Sequence, residues 1–126
     1  LTVLALTLLR LSWRLLAGSP EALPAGKLQS LAARSVHGML YALLFAMPLS
    51  GWLYNSASGF PLRWFGMPLP RLFTGFNPAL KQLAHALHEN LFYLLAALLV
   101  LHAGAALFHH YVRKDDTLKR MTGFRP

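Results

Sequence analysis

The sequence predicts an all-α fold, a bundle of membrane-spanning helices, and three observations carry that prediction. Of 126 residues, 56% are hydrophobic and only 13% are charged, against about a quarter charged in ordinary soluble domains. The mean hydropathy is +0.44. The apolar residues fall into three long runs, and the basic residues sit between and beside these runs rather than on one arm. The chain has 12 Lys+Arg against 4 Asp+Glu. Because those charges form no basic face, nucleic acid is excluded as a partner and a lipid bilayer is indicated. The length allows one domain, residues 1–126. The absence of cysteine excludes a disulfide scaffold, a thiolate zinc or iron–sulfur site, and thioether-attached c-type heme.

The first predicted helix covers 1–17, interrupted by Arg10 and Arg14 and closed by Gly18-Ser19-Pro20. It falls just short of the ~20 apolar residues of a spanning helix. The chain opens in mid-run at Leu1-Thr2-Val3-Leu4 with no Met, so further sequence is expected upstream. A signal peptide fits poorly, without a charged start or a small-residue cleavage site. The second predicted helix covers 31–54, where Pro48 followed by Ser50-Gly51 predicts a kink. The connection after it carries Phe60, Trp64, Phe65, Phe73 and Phe76 among Gly and Pro, the composition of a loop lying at the membrane interface. The third predicted helix covers 78–112, with its apolar centre at 91–108. Asn77 suits its N-cap and Pro78 its first helical position.

Charge asymmetry orients the chain. Arg10, Arg14, Lys27, Arg34, Arg113, Lys114, Lys119, Arg120 and Arg125 lie on one side, against Arg63, Arg71 and Lys81 on the other. The positive-inside bias then puts the first loop and the C-terminus in the cytoplasm.

Five of the six histidines lie on the third segment: His85, His88, His102, His109 and His110. His88 and His102 differ by about 40° around a helix and roughly 21 Å along it. His109 continues that stripe about 20° further on. One face therefore offers imidazoles at two depths of the bilayer. Ionizable side chains there are costly and mark a pathway or a site, and neutral imidazole is a heme axial ligand. Ala96, Ala97, Ala103, Gly104, Ala105 and Ala106 supply the small residues that a wide cofactor needs nearby. His102 reads first as a cofactor ligand and second as an interhelix hydrogen-bonding group. His88, beside Glu89, reads equally as a ligand or an interfacial polar residue. His85 is off the stripe and reads as interfacial. His109 and His110 read as a wet, basic helix end, or as contacts to heme propionates or a quinone headgroup. His37, expected near the level of His109, forms a polar facet with Arg34 and Tyr41 that suits either propionate or quinone contact or helix–helix bonding.

With these residues in view, the chain resembles the bacterial cytochrome b561 family of di-heme membrane proteins, which groups with the cytochrome b subunits of nickel–iron hydrogenases. The matching stretches are Leu8-Leu9-Arg10-Leu11-Ser12-Trp13-Arg14, Ala33-Arg34-Ser35-Val36-His37 with Tyr41, and Pro48-Leu49-Ser50-Gly51-Trp52. The strongest runs from Leu87-His88-Glu89 through Leu101-His102 to Ala105-Ala106-Leu107-Phe108-His109-His110-Tyr111. The resemblance implies a four-helix bundle, of which three helices are present here, holding two molecules of heme b. It assigns His88 to the outer heme and His102 to the inner one as axial iron ligands. The partner ligands fall on the first helix and at the start of the second, both before Leu1.

The resemblance thus implies a b-type heme electron-transfer protein of the bacterial cytoplasmic (inner) membrane, passing electrons to or from the quinone pool, with ubiquinone as a further candidate cofactor. Some family members are similar to a superoxide-oxidizing, quinone-reducing oxidoreductase; others serve as subunits for a dehydrogenase or hydrogenase. Assembly as a homodimer is a further expectation. The rival reading is a cofactor-free membrane protein, a transporter fragment or assembly subunit. Its histidine stripe would then make interhelix bonds or a proton relay through Glu89.

Overall fold

The computed structural model describes residues 1–18 and 26–114. They form three helices, α1 Thr2–Ala17, α2 Lys27–Ala57 and α3 Pro78–Tyr111. A hairpin of two short strands, β1 Arg63–Trp64 and β2 Met67–Pro68, lies between α2 and α3. The Ser19-Pro20 stop after the first run and the basic residues Lys119, Arg120 and Arg125 lie outside the described residues.

α1 is 16 residues of mostly Leu, Ala and Thr without Gly or Pro, about 24 Å long. It stops at Gly18, whose φ of 78° only glycine adopts without strain. α2 begins four residues before the apolar run 31–54 and ends three after it. Hydropathy falls off where the chain meets polar surroundings, but Lys27-Leu28-Gln29-Ser30 are adequate helix formers, so the backbone ladder continues past the apolar run. The helix passes Pro48 without a break.

α3 starts as its sequence predicts. The Asn77 side chain accepts from Leu80 N at 3.0 Å, and Pro78 follows at the first helical position. Asn77→Ala is expected to destabilize the protein by about 1 kcal/mol, with Asn77→Ser restoring most of it, read from thermal unfolding in detergent.

The connection is fastened to both neighbouring helices. Asn77 N donates to Ala57 O at 3.0 Å, Leu72 N to Ser56 Oγ at 3.2 Å, and Trp52 Nε1 to Pro70 O at 3.0 Å. Trp64 Nε1 donates to Thr2 Oγ1 at 3.1 Å, joining the hairpin to the first turn of α1. The hairpin turns at Phe65-Gly66 with φ of 48° and 81°, the double left-handed geometry of a primed turn. The sequence predicts only a loop here, because Phe-Gly lacks the Asn-Gly or Asp-Gly signature of such turns.

α2 packs along α3, and among the described residues α1 packs against α2 and not against α3. On α2 the positions Val36, Leu40, Leu43, Met47, Ser50, Tyr54 and Ala57 recur at alternating steps of four and three residues. On α3 the same rhythm runs through Ala84, His88, Leu91, Leu95, Leu98 and His102. These are the positions that meet: Leu40, Leu43 and Leu98 form the core, with Val36, Leu91 and Leu95 packed against it. Such a spacing is that of antiparallel helices interlocking knobs into holes.

The rest of the helical surface is apolar and open. Only 17% and 11% of the residues in the apolar stretches of α2 and α3 are buried, whereas the core helix of a soluble protein is mostly covered. Leu15, Leu16 and Val100 are 78%, 85% and 72% exposed. The fold is a transmembrane helical bundle whose outward leucines face lipid. Against lipid tails, the seam is held by close packing more than by release of water. The end carrying Lys27 and Arg113 is called the basic end below, and the opposite one the hairpin end.

Candidate functional site

The α2–α3 seam is where the histidine stripe goes. Moving from the hairpin end, Tyr54 meets His85, Ser50 meets His88, His37 meets His102, and Gln29 meets His109. Every step toward the start of α2 is matched by a similar step toward the end of α3, so the two helices are antiparallel and in register over their full overlap. His88 and His102 both face α2 rather than lipid. Leu40 and Leu43 on α2 and Leu91, Leu95 and Leu98 on α3 fill the space between their two levels.

At the His88 level, the Ser50 hydroxyl donates back to Met47 O at 2.8 Å. His88 Nδ1 lies 2.8 Å from Ser50 Oγ and 3.1 Å from Met47 O. A carbonyl only accepts, and the single Ser50 proton is directed at that same carbonyl. Nδ1 therefore carries the proton and donates to both oxygens, which leaves Nε2 with its lone pair. The ring also lies against Gly51, where a Cβ would come 3.2 Å from His88 Cε1. A methyl at this position would require the ring to give by a few tenths of an ångström, so the glycine eases the approach of α2.

At the His102 level, the His37 and His102 rings meet edge to face with centroids 5.2 Å apart. The expectation that His37 sits near His109 is corrected here. Because α2 starts at Lys27, His37 is nearly three turns inside the helix, and Gln29 occupies the level of His109. Arg34 is exposed, His37 faces α3, and the Tyr41 ring receives the Arg14 guanidinium of α1 at 5.7 Å.

Closer to the basic end, Arg113 donates to Gln29 Oε1 at 3.2 Å. That contact orients the Gln29 amide nitrogen toward His109 Nε2, 3.4 Å away. An amide nitrogen only donates, so His109 accepts at Nε2 and keeps its proton on Nδ1. His110 stacks edge-on against Tyr111 at 4.9 Å, and among the described residues its buried Nδ1 has no hydrogen-bond partner. At the hairpin end, His85 is exposed and pairs with Glu89 at 3.8 Å, so Glu89 serves His85 and not His88. Lys81 lies over the rings of Tyr54 and Phe76, at 6.0 and 5.7 Å.

Of the small residues expected beside a cofactor, Ala106 is buried, while Ala97, Ala103, Gly104 and Ala105 lie exposed on the outward face of α3. Ser50, Met47, Gly51 and Gln29 were not singled out from sequence as partners of the histidines. The alternating four-three spacing of α2 is the signal that would have found Ser50 and Met47.

A family model described as prokaryotic cytochrome b561 matches residues 1–124. The chain belongs to the prokaryotic cytochrome b561 family. Among its relatives, the Escherichia coli protein named cytochrome b561 homolog 2 is 41% identical over 119 residues, covering 91% of this chain and 62% of that protein. Cytochrome b561 homolog 1 of the same organism is 40% identical over 93 residues, 74% of this chain and 52% of that protein. A Yersinia pestis protein named "Probable superoxide oxidase CybB" is 36% identical over 85 residues, 68% of this chain and 48% of that protein. The chain thus spans about half to three-fifths of the length of these curated relatives. The cytochrome b561 family consists of inner-membrane proteins that transfer electrons on b-type heme.

The residues of the seam suit that cofactor. Imidazole is the axial donor of b-type heme, and His88 presents an unprotonated Nε2 while its other nitrogen is held by α2. Gly51 clears the edge of the ring. Among the described residues no group of three or more His, Cys, Asp or Glu could hold a bare metal ion.

Proposed function

We propose that this chain supplies one axial ligand to each of two b-type hemes, through His88 toward the hairpin end and His102 toward the basic end. The protein would thereby pass electrons between a donor and the membrane quinone pool, with ubiquinone as acceptor. The observation that carries this reading is the placement of two imidazoles on one helix seam, about 21 Å apart along the axis, each facing α2. Bound heme supplies a reversible one-electron couple between ferric and ferrous iron.

The chain's own residues do the rest. Met47 and Ser50 hold the His88 proton on Nδ1 and orient the ring. Leu40, Leu43, Leu91, Leu95 and Leu98 keep water from the layer between the two ligand levels. His109, His110 and Arg34 toward the basic end, and His37 at the His102 level, would supply donors and cations for heme propionates or a quinone headgroup, and a quinone needs protons as well as electrons. His109, with Arg113 and Gln29 behind its Nε2, would offer its Nδ1–H as a hydrogen-bond donor to a quinone oxygen. The positive-inside bias puts this end, and the C-terminus, in the cytoplasm. On the far side Arg63, Arg71 and Lys81 would draw an anionic donor, and the named superoxide oxidase relative favours superoxide over a dehydrogenase or hydrogenase subunit. Assembly as a homodimer belongs to the same proposal.

The test is spectroscopic. The full-length protein, purified in detergent, is expected to show a reduced-minus-oxidized b-type band and to be reoxidized by added ubiquinone. A preparation that folds but shows no such band would leave the cofactor-free bundle as the better reading.

A further inference from the structure

The Ser50 hydroxyl does more than close a turn of α2. It is 4% exposed, it lies 2.8 Å from His88 Nδ1, and its proton is committed to Met47 O. It therefore faces His88 as an acceptor. We infer that Ser50, acting with the Met47 carbonyl, is a positioning residue that sets the reduction potential of the hairpin-end heme by accepting the Nδ1 proton of His88. This rests on the reading of His88 as an axial ligand.

Elementary ligand chemistry gives the direction. An acceptor on Nδ1–H pushes electron density through the ring to Nε2 and raises its basicity. A more basic imidazole favours ferric over ferrous iron and holds the potential down. Among the described residues no such pair is present at the other level, where His102 meets the edge of another imidazole instead of a hydroxyl and a carbonyl. The two hemes are thus given unequal surroundings by the chain itself, and the hairpin-end heme is the one with the strengthened ligand. Loss of the hydroxyl leaves Met47 O as the remaining acceptor at 3.1 Å, so the ring stays anchored while its donor strength falls.

Redox titration of the full-length protein tests this. Ser50→Ala is expected to keep both hemes and to raise the midpoint of one by about 59 mV. That shift corresponds to a tenfold change in relative affinity for a one-electron couple, the lower end of what outer-shell partners of metal-bound histidines contribute. Ser50→Thr, which keeps the hydroxyl, is expected to return the potential and the low-spin electron paramagnetic resonance signal to those of the parent. An unmoved or lowered midpoint in Ser50→Ala overturns the inference. Should Ser50→Ala fail to hold heme, a Ser50→Thr protein with parental potential supports the role, and one equally empty reduces Ser50 to a packing residue. His88→Ala separates the two levels of the argument. If it retains both hemes, the ligand reading fails and takes this inference with it. If it loses one while Ser50→Ala leaves the potential unchanged, the inference about Ser50 fails alone.

Discussion

A His102→Ala variant of the full-length protein is expected to lose one heme and about half of the b-type difference band, and His88→Ala to lose the other half. Alanine offers no donor to iron, and no second imidazole on α3 stands at either level to replace the one removed. The nearest candidate is His37, whose ring centroid is 5.2 Å from that of His102. It projects from the opposite helix, so it cannot assume the same direction of approach. His85→Ala is the matched control. It removes an exposed imidazole one turn from His88, paired among the described residues with Glu89 and the Tyr54 ring, and both bands are expected to survive intact. The measurement is the heme-to-protein ratio with the difference spectrum of each variant. Full bands in both His88→Ala and His102→Ala would show that the stripe is an interhelix hydrogen-bonding device.

Much of this arrangement is legible in the sequence because it is local. The three helices follow from runs of apolar residues, the start of α3 from Asn77-Pro78, and the shared face of His88 and His102 from helical periodicity. What each histidine touches is not local. It depends on the register between α2 and α3, and that register depends on where α2 begins. Hydropathy starts the helix near Leu31; the backbone starts it at Lys27. His37 stands at the level of His102, two turns of α3 away from His109, and Gln29 stands at the level of His109; the early start of α2 at Lys27 accounts for about one of those turns. The small residues teach the same lesson. Ala103, Gly104 and Ala105 look like room for a cofactor along the stripe, yet they turn outward, where a Cβ on Gly104 would meet nothing within 4 Å. The glycine that matters for His88 is on the other helix.

Gly51 should therefore be the most sensitive position on α2. Two effects oppose each other in Gly51→Ala. The helix gains about 1 kcal/mol of intrinsic propensity, while the new methyl sits 3.2 Å from His88 Cε1, a few tenths of an ångström too close. The ring can yield that much, so the protein is expected to unfold at the same or a higher temperature while the potential of one heme shifts. Gly51→Leu removes that latitude. Its branched side chain must occupy the volume of the imidazole, and overpacking of this kind costs about 1–3 kcal/mol. Displacing His88 also breaks its bonds to Ser50 and Met47 and turns Nε2 away from its ligating direction. Gly51→Leu is thus expected to lose the same heme as His88→Ala and to keep the one on His102. Heme content and thermal unfolding, measured side by side, separate loss of a ligand from loss of the fold. A Gly51→Leu protein that retains both hemes at parental potentials would mean that His88 does not rest against α2 when iron is bound.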